Sequence, residues 1–314
     1  RCRPWLFCGK IDFRNYDYCI VDYCVNEGTM LNIQWSHPDV VRSLLRSCVA
    51  RLSSDNCIPV MLVLPQLEVI RHGSAIHAIA DDVISSYNLP FLNGYVLLQR
   101  LQEAVPALQT NDLFRDSSHL KPWLARMIAH MMAGALQKLV PSTGETMAAE
   151  PLSYIFQDVV PFSPLAARRV YTNSLMSIEA ATIGPEGITI PLGAGEKVVA
   201  VAANLAETTC PAEIFGESKH TAPLDRSYYR GDKNSLVFSI LPVTGGGARP
   251  LDNRLQICAA SELSQNRITI AGIIVERSSP QQGKAFFNTP IDLLKEFDNE
   301  TLRSLCAVHL AGMS

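Results

Sequence analysis

Three short apolar runs in the first half of the chain are spaced like the strands of one sheet. They cover residues 18–25, 58–64 and 90–92. The first two are mostly apolar and favour β structure, which is typical of strands that are covered on both faces. Pro59 lies near the start of the second run, a position that a strand tolerates. We therefore predict three strands of a buried sheet.

Helical periodicity separates and follows these runs. Apolar side chains recur every three or four positions after Ser36, over residues 76–87 and over residues 122–139. Ser36 and Asp39 have the spacing of a capping box, and the segment 88–90 is a stop signal for the second helix. The alternating order of strands and helices predicts a parallel sheet with helices on both faces. Ligands of such sheets bind beyond the carboxyl ends of the strands.

The pattern changes near residue 141. From about 151 to 285 the chain consists of short β-type runs separated by Gly, Pro, Asn and Asp, with a conspicuous turn at Gly245-Gly246-Gly247. Many short strands at this spacing predict an antiparallel sandwich of jelly-roll or related type. The clearest runs are residues 187–192, 197–203, 235–243, 254–260 and 267–276.

Two domains follow from these patterns and from the length of 314 residues. We predict an α/β domain over residues 1–145 and a β-sandwich accessory domain over residues 146–314. The second domain is expected to include a last helix over residues 291–309, where helical periodicity returns.

Composition narrows the classes of function. A net charge of −3 gives no support to nucleic acid or an anionic membrane as the main partner, and no apolar run approaches 18 residues. Nine cysteines occur without CxxC pairs or zinc-ligand spacing, which predicts reduced thiols in a cytoplasmic protein without a metal site. No Gly-rich phosphate loop follows any predicted strand, so no nucleotide or other cofactor is expected.

Candidate chemistry concentrates in two short segments. Asp116-Ser117-Ser118-His119 immediately precedes the helix that begins near Pro122, and Asn26 follows the first predicted strand. Both segments are predicted to lie at the carboxyl edge of the sheet. Histidine is the side chain that most often serves as a general base near neutral pH, and Asp116 can reach the ring of His119 if the segment makes a tight turn. The amide of Asn26 can donate a hydrogen bond to an oxyanion.

A strand-end asparagine followed much later by Asp-x-x-His before the last α/β helix resembles the SGNH (GDSL-type) hydrolase family. The resemblance covers about residues 16–140 and implies a flavodoxin-like, three-layer α/β fold. It implies that His119 is the general base for a serine nucleophile, that Asp116 orients His119, and that Asn26 contributes to the oxyanion hole. The implied chemistry is ester hydrolysis or acyl transfer, without a cofactor, on a small-molecule or glycan ester. An O-acetylated carbohydrate is the first choice, because members with an appended β-sandwich often act on glycans.

The serine block of the family has no counterpart in this sequence. Gly73-Ser74-Ala75 lacks the Gly-x-Ser-x-Gly pattern, while Ser117 and Ser118 lie inside the Asp-x-x-His turn. We expect the block upstream of Arg1, so that the chain as given would hydrolyse esters poorly. The alternative is a chain that has lost its nucleophile and serves as a carbohydrate- or protein-binding module on the same scaffold. The sequence leaves the oligomeric state open.

Overall fold

The computed structural model divides the chain into two compact units. One unit, called the α/β unit below, combines Asp12–Glu150 with Gln282–Ser314, and the other, called the β unit, contains Pro151–Gln281. The structure describes residues 12–22, 31, 38–72, 74–142, 145–146, 153–172, 177–224, 238–260, 265–278 and 284–311.

The elements are numbered along the chain. The strands are β1 (Tyr18–Val21), β2 (Ile58–Val63), β3 (Pro90–Asn93), β4 (Glu145–Thr146), β5 (Ser153–Asp158), β6 (Arg168–Thr172), β7 (Ser177–Ile183), β8 (Ile188–Pro191), β9 (Lys197–Asn204), β10 (Ala212–Phe215), β11 (Lys219–Ala222), β12 (Phe238–Pro242), β13 (Arg254–Ala259), β14 (Ile268–Arg277), β15 (Lys284–Ala285) and β16 (Ile291–Asp292). The α-helices are α1 (Pro38–Ser54), α2 (Leu67–His72), α3 (Ala75–Tyr87), α4 (Gly94–Ala104), α5 (Thr110–Leu113), α6 (Pro122–Leu136) and α7 (Asn299–Ala311).

Four parallel strands form the sheet of the α/β unit, in the order β1-β2-β3-β16. Every residue of β2 except Leu62 is buried, as expected for a strand that is covered on both faces. Helices α1 and α3 pack against each other and against β2, while α4 and α6 pack against α7. One hydrophobic core joins β2 and β3 to α4, α6 and α7. The predicted parallel sheet within an α/β architecture is confirmed.

The helix boundaries follow local signals in the sequence. Ser74 caps α3 by accepting a hydrogen bond from a backbone N–H of the first turn, and Asn88 ends that helix in the left-handed conformation at φ 50°. Pro122 occupies the first turn of α6, where its missing N–H costs nothing. Helix α6 ends at Leu136, three residues before the predicted end.

Two predicted boundaries of the sheet and of the last helix are corrected. Strand β1 ends at Val21, and residues 23–25 of the predicted run lie outside the described residues. Helix α7 begins at Asn299 rather than at residue 291, because the residues before it form β16 and a short 3-10 turn. Residue 291 instead starts the strand that pairs in parallel with β3.

The last helix belongs to the α/β unit, which corrects its predicted place in a sandwich domain over residues 146–314. Leu302 and Cys306 of α7 are buried in the core of the α/β unit. The Arg303 side chain donates to the Ala104 carbonyl oxygen at the end of α4, at 3.0 Å. The apolar face of α7 therefore packs against α4 and α6. Because segments on both sides of the β unit belong to the α/β unit, the β unit is an insertion in the sequence of the α/β unit.

The β unit consists of two antiparallel sheets that share one hydrophobic core. One sheet has the order β11-β10-β13-β8, and the other has the order β12-β9-β14-β7-β6, with β5 also paired to β14. Strands β8, β9, β12, β13 and β14 match the five runs that the sequence made clearest to within one residue at each described end, while residues 235–237 of the third run lie outside the described residues. Burial alternates along β8, so every second side chain faces the core. This alternation of apolar and polar side chains is the pattern by which a strand is recognised in a sequence.

The described cysteines are mostly buried, and no disulfide joins any two of them. Burial raises the pKa of the Cys57 thiol to about 12, and it also raises the pKa of Cys210, Cys258 and Cys306. Such thiols stay protonated and unreactive at neutral pH. In the part of the chain that the structure describes, no helix is long and apolar enough to cross a membrane.

Candidate functional site

The segment between α5 and α6 forms a tight turn that carries two of the predicted site residues. Phe114 and Leu120 form an antiparallel bridge, and the backbone N–H of Arg115 donates to the His119 carbonyl oxygen at 2.8 Å. These contacts close a short hairpin whose tip contains Asp116. The local fold therefore brings the Asp116 and His119 side chains together.

One carboxylate oxygen of Asp116 organises the turn. Asp116 Oδ1 accepts hydrogen bonds from the backbone N–H groups of Ser118 and His119 at 3.0 and 2.9 Å, and it lies 2.7 Å from His119 Nδ1. Since a carboxylate only accepts, Nδ1 carries the proton of the neutral ring, and Nε2 keeps its lone pair. The predicted contact between the Asp116 carboxylate and the His119 ring is confirmed.

The surroundings stabilise the negative charge on Asp116. The hydrogen bond from the Ser118 N–H, followed by that from the His119 ring, lowers the pKa of Asp116 to about 2. Arg115 adds a cation, with its Nε 3.4 Å from Asp116 Oδ2. The carboxylate is thus ionised at neutral pH and can stabilise an imidazolium when His119 takes up a proton.

Two contacts hold this turn at the carboxyl edge of the parallel sheet. The backbone N–H of Leu67, just beyond the end of β2, donates to the Ser117 carbonyl oxygen at 3.0 Å. On the helix side, Trp123 is 1% exposed and its indole N–H donates to the Asp112 carbonyl oxygen at 3.0 Å. The turn therefore lies at the sheet edge where the sequence placed it.

The ends of β2 and β3 approach each other closely at this edge. A Cβ on Gly94 would lie 2.7 Å from the Val63 carbonyl oxygen and 2.5 Å from Pro65 Cδ, so only glycine fits there without a shift. Asn93 caps α4 through its side-chain oxygen, which accepts from the Tyr95 N–H at 3.0 Å. The backbone geometry thus places Tyr95 beside the segment that follows β2.

Tyr95 supports the Asp116–His119 turn through two consecutive peptide groups. Its hydroxyl oxygen accepts a hydrogen bond from the Gln66 N–H at 3.0 Å, and the next residue, Leu67, donates to Ser117. The sequence analysis missed this contribution, because nothing in local periodicity links a tyrosine after β3 to a backbone amide after β2.

His77 is half-buried against the same tyrosine. The His77 and Tyr95 rings meet edge to face with their centroids 4.3 Å apart. Burial lowers the pKa of His77, and the nearby charge of Asp81 partly opposes that effect. The contact joins a histidine of α3 to a tyrosine of α4, and no local pattern in the sequence connects these two residues.

Removing the Tyr95 hydroxyl tests this support directly. In Tyr95→Phe, the Gln66 N–H loses its acceptor while the ring that contacts His77 remains. We expect the free energy of unfolding to fall by about 1–3 kcal/mol and amide hydrogen exchange to become faster at Gln66 and Leu67. Tyr16→Phe, at an exposed tyrosine of the same unit, is the control. Unchanged exchange at both amides would refute the supporting role of Tyr95.

The other predicted residues are placed less completely. Asn26 lies outside the described residues, so its place at the carboxyl edge of the sheet stays a prediction. Among the residues that the structure describes, none is hydrogen-bonded to His119 Nε2. Ser74 caps α3, and Ser117 and Ser118 occupy the turn itself, so none of the three presents its hydroxyl to the ring.

Comparisons with known proteins bear on the fold. No family model matches the chain, and no match is found among the curated proteins. Two solved structures of a two-domain esterase (CEX) active on acetylated mannans are similar in fold. The structure co-crystallized with mannopentaose has a TM-score of 0.54 at 11% identity, over 87% of this chain and 77% of that chain. The second has a TM-score of 0.50 at 12% identity, over 86% and 73% of the two chains. The likeness shows a fold of the two-domain esterase kind.

Proposed function

We propose that this protein is an ester hydrolase or acyltransferase of the SGNH type that acts on an O-acetylated carbohydrate. The observation that carries the proposal is the 2.7 Å contact between the Asp116 carboxylate and His119 Nδ1 at the carboxyl edge of the sheet. The likeness in fold to esterases active on acetylated mannans supports it. The proposal includes a flavodoxin-like α/β unit and a jelly-roll-like β unit.

His119 would act as the general base. Its Nε2 would take the proton of a serine hydroxyl as the serine oxygen attacks the ester carbonyl carbon, and the same proton would pass to the departing alcohol. Asp116 would stay ionised and stabilise the imidazolium, as its low pKa favours. Asn26 is proposed as a donor to the oxyanion. The serine itself is not among the described residues in contact with His119.

The exposure of the pair favours a large substrate. The Asp116 and His119 side chains are 46% and 45% exposed, so the base is reached from the surface rather than through an enclosed cavity. An acetyl group on a polysaccharide can approach such a base, because only the ester has to enter the site. This is the reason to propose a glycan ester in preference to a small buried one.

The second candidate is a carbohydrate-binding module without catalysis. It is favoured by the lack of a described hydroxyl hydrogen-bonded to His119 Nε2. Under this proposal the edge of the sheet would bind a glycan, and the Asp116–His119 pair would supply hydrogen bonds to sugar hydroxyls instead of moving a proton.

Acetate release from O-acetylated mannan separates the two candidates. The protein is best made from its whole gene, including any residues encoded before Arg1, and mannan stripped of acetyl groups serves as the binding control. Hydrolysis of the acetylated polymer supports the enzyme. Binding of both polymers without any acetate release, and without hydrolysis of other acyl esters, would favour the binding module.

A further inference from the structure

The β unit holds a serine and a histidine in direct contact. Ser218 Oγ lies 2.8 Å from His220 Nε2, and His220 Nδ1 lies 3.0 Å from the Thr244 carbonyl oxygen. We propose that Ser218 is a nucleophilic serine activated by His220, and that it reacts with carboxylic esters independently of the Asp116–His119 pair.

The hydrogen bonds fix the roles of the two ring nitrogens. A carbonyl oxygen can only accept, so His220 Nδ1 donates to Thr244, and Nε2 of the neutral ring is the acceptor for the Ser218 hydroxyl. A nucleophile within reach of a base that is oriented by a third group is the arrangement that activates a serine. Here a backbone carbonyl takes the place of the orienting carboxylate.

Backbone hydrogen bonds hold the segment that carries Ser218 and His220 in position. The Glu217 N–H donates to the Arg249 carbonyl oxygen at 3.1 Å, and Thr221 N–H donates to Thr244 Oγ1 at 3.1 Å. A Cβ on Gly216 would lie 1.9 Å from the Arg249 carbonyl oxygen, so glycine is required for the close approach. The turn between β10 and β11 is thus fastened to the segment 244–249 on both sides of Ser218.

The glycine run that stood out in the sequence lies beside the ring. Gly245, Gly246 and Gly247 all have positive φ values, between 69° and 111°. A Cβ on Gly245 would lie 3.5 Å from His220 Nδ1, while nothing lies within 4 Å of a Cβ on Gly246. The glycines therefore place no side chain against the Nδ1 and Cε1 atoms of His220.

The chemical step needs no further reactant than water. Ser218 Oγ bonds to the carbonyl carbon of the ester while its proton moves to His220 Nε2. The bond from that carbon to the alcohol oxygen then breaks, and the alcohol leaves with the proton. Water attacks the acyl-serine, gives its proton to Nε2, and releases the carboxylic acid as Ser218 regains its proton. No oxyanion donor is assigned, so activated esters are the expected class of substrate.

Labelling with a fluorophosphonate probe tests the proposal, since the serine oxygen displaces fluoride and keeps the phosphonyl group. We expect Ser218 to be labelled at least about 10-fold faster than Ser177, as general-base assistance predicts. Ser177 is the matched control, because it is an exposed serine of the same unit whose hydroxyl contacts Thr172 instead of a histidine. The site of labelling is read from peptides by mass spectrometry.

Variants separate this site from the proposed esterase site. His220→Gln is expected to reduce labelling of Ser218 to the level of Ser177, while His119→Ala leaves it unchanged. Equal labelling of Ser218 and Ser177 in the unmodified protein, a comparison that no misfolded variant can disturb, would overturn the proposal. Labelling of Ser218 that persists in His220→Gln at the original rate would also overturn it.

Discussion

Replacing Asp116 by asparagine is expected to lower kcat/KM for an acetylated substrate by about 10³- to 10⁴-fold. The asparagine amide group can donate to His119 Nδ1, which would move the ring proton to Nε2. That tautomer cannot accept the proton of a nucleophile. The variant would also lose the negative charge that stabilises the imidazolium.

The measurement compares initial rates of acetate release by the unmodified protein, Asp116→Asn and Asp81→Asn, each made with any residues encoded before Arg1. Asp81 is an exposed aspartate of α3, so its variant controls for the loss of one surface charge. An unchanged circular dichroism spectrum would show that Asp116→Asn keeps its fold. A rate within about twofold of the unmodified protein would mean that Asp116 does not orient a catalytic base.

Replacing Trp123 by alanine is expected to lower the free energy of unfolding by about 3–5 kcal/mol. The side chain is 1% exposed in the core of the α/β unit, so its removal leaves a large cavity. The Asp112 carbonyl oxygen also loses its indole donor. Because this bond ties α5 to α6 across the Asp116–His119 turn, the turn is expected to loosen as well.

Urea unfolding followed by circular dichroism measures this loss. Arg126→Ala, at an exposed position of the same helix, is expected to change stability by less than about 0.5 kcal/mol. Trp123→Phe refills most of the cavity without the N–H, so its loss is expected to lie between those of the two other variants. A loss below about 1 kcal/mol in Trp123→Ala would show that the side chain does not anchor this region.

Local sequence patterns were sufficient to predict the strand and the helix next to the Asp116–His119 turn. The apolar run of β2 and the stripe of α6 are strong periodic signals, and Asp116 reaches His119 within four residues of chain. Such contacts are set by short-range geometry, which a sequence displays directly.

Contacts between segments that are distant in the sequence could not be predicted from it. Residues 291–292 carry too short an apolar signal to be recognised as a strand, and about 130 residues of the β unit separate them from the α/β half that they join. The support of Gln66 by Tyr95 is likewise a contact between a side chain and a backbone amide 29 residues away. Neither contact produces a periodic pattern of apolar residues from which it could be predicted.

The most direct test of His119 as an esterase base is the rate of acetate release from O-acetylated mannan by His119→Ala, made, like its controls, with any residues encoded before Arg1. His130→Ala serves as the control, because His130 is exposed on α6 and contacts only the ring of His309 among the described aromatic groups. A catalytic base predicts a loss of about 10³-fold or more in His119→Ala and an unchanged rate in His130→Ala. Release of acetate by His119→Ala at the rate of the unmodified protein would contradict it.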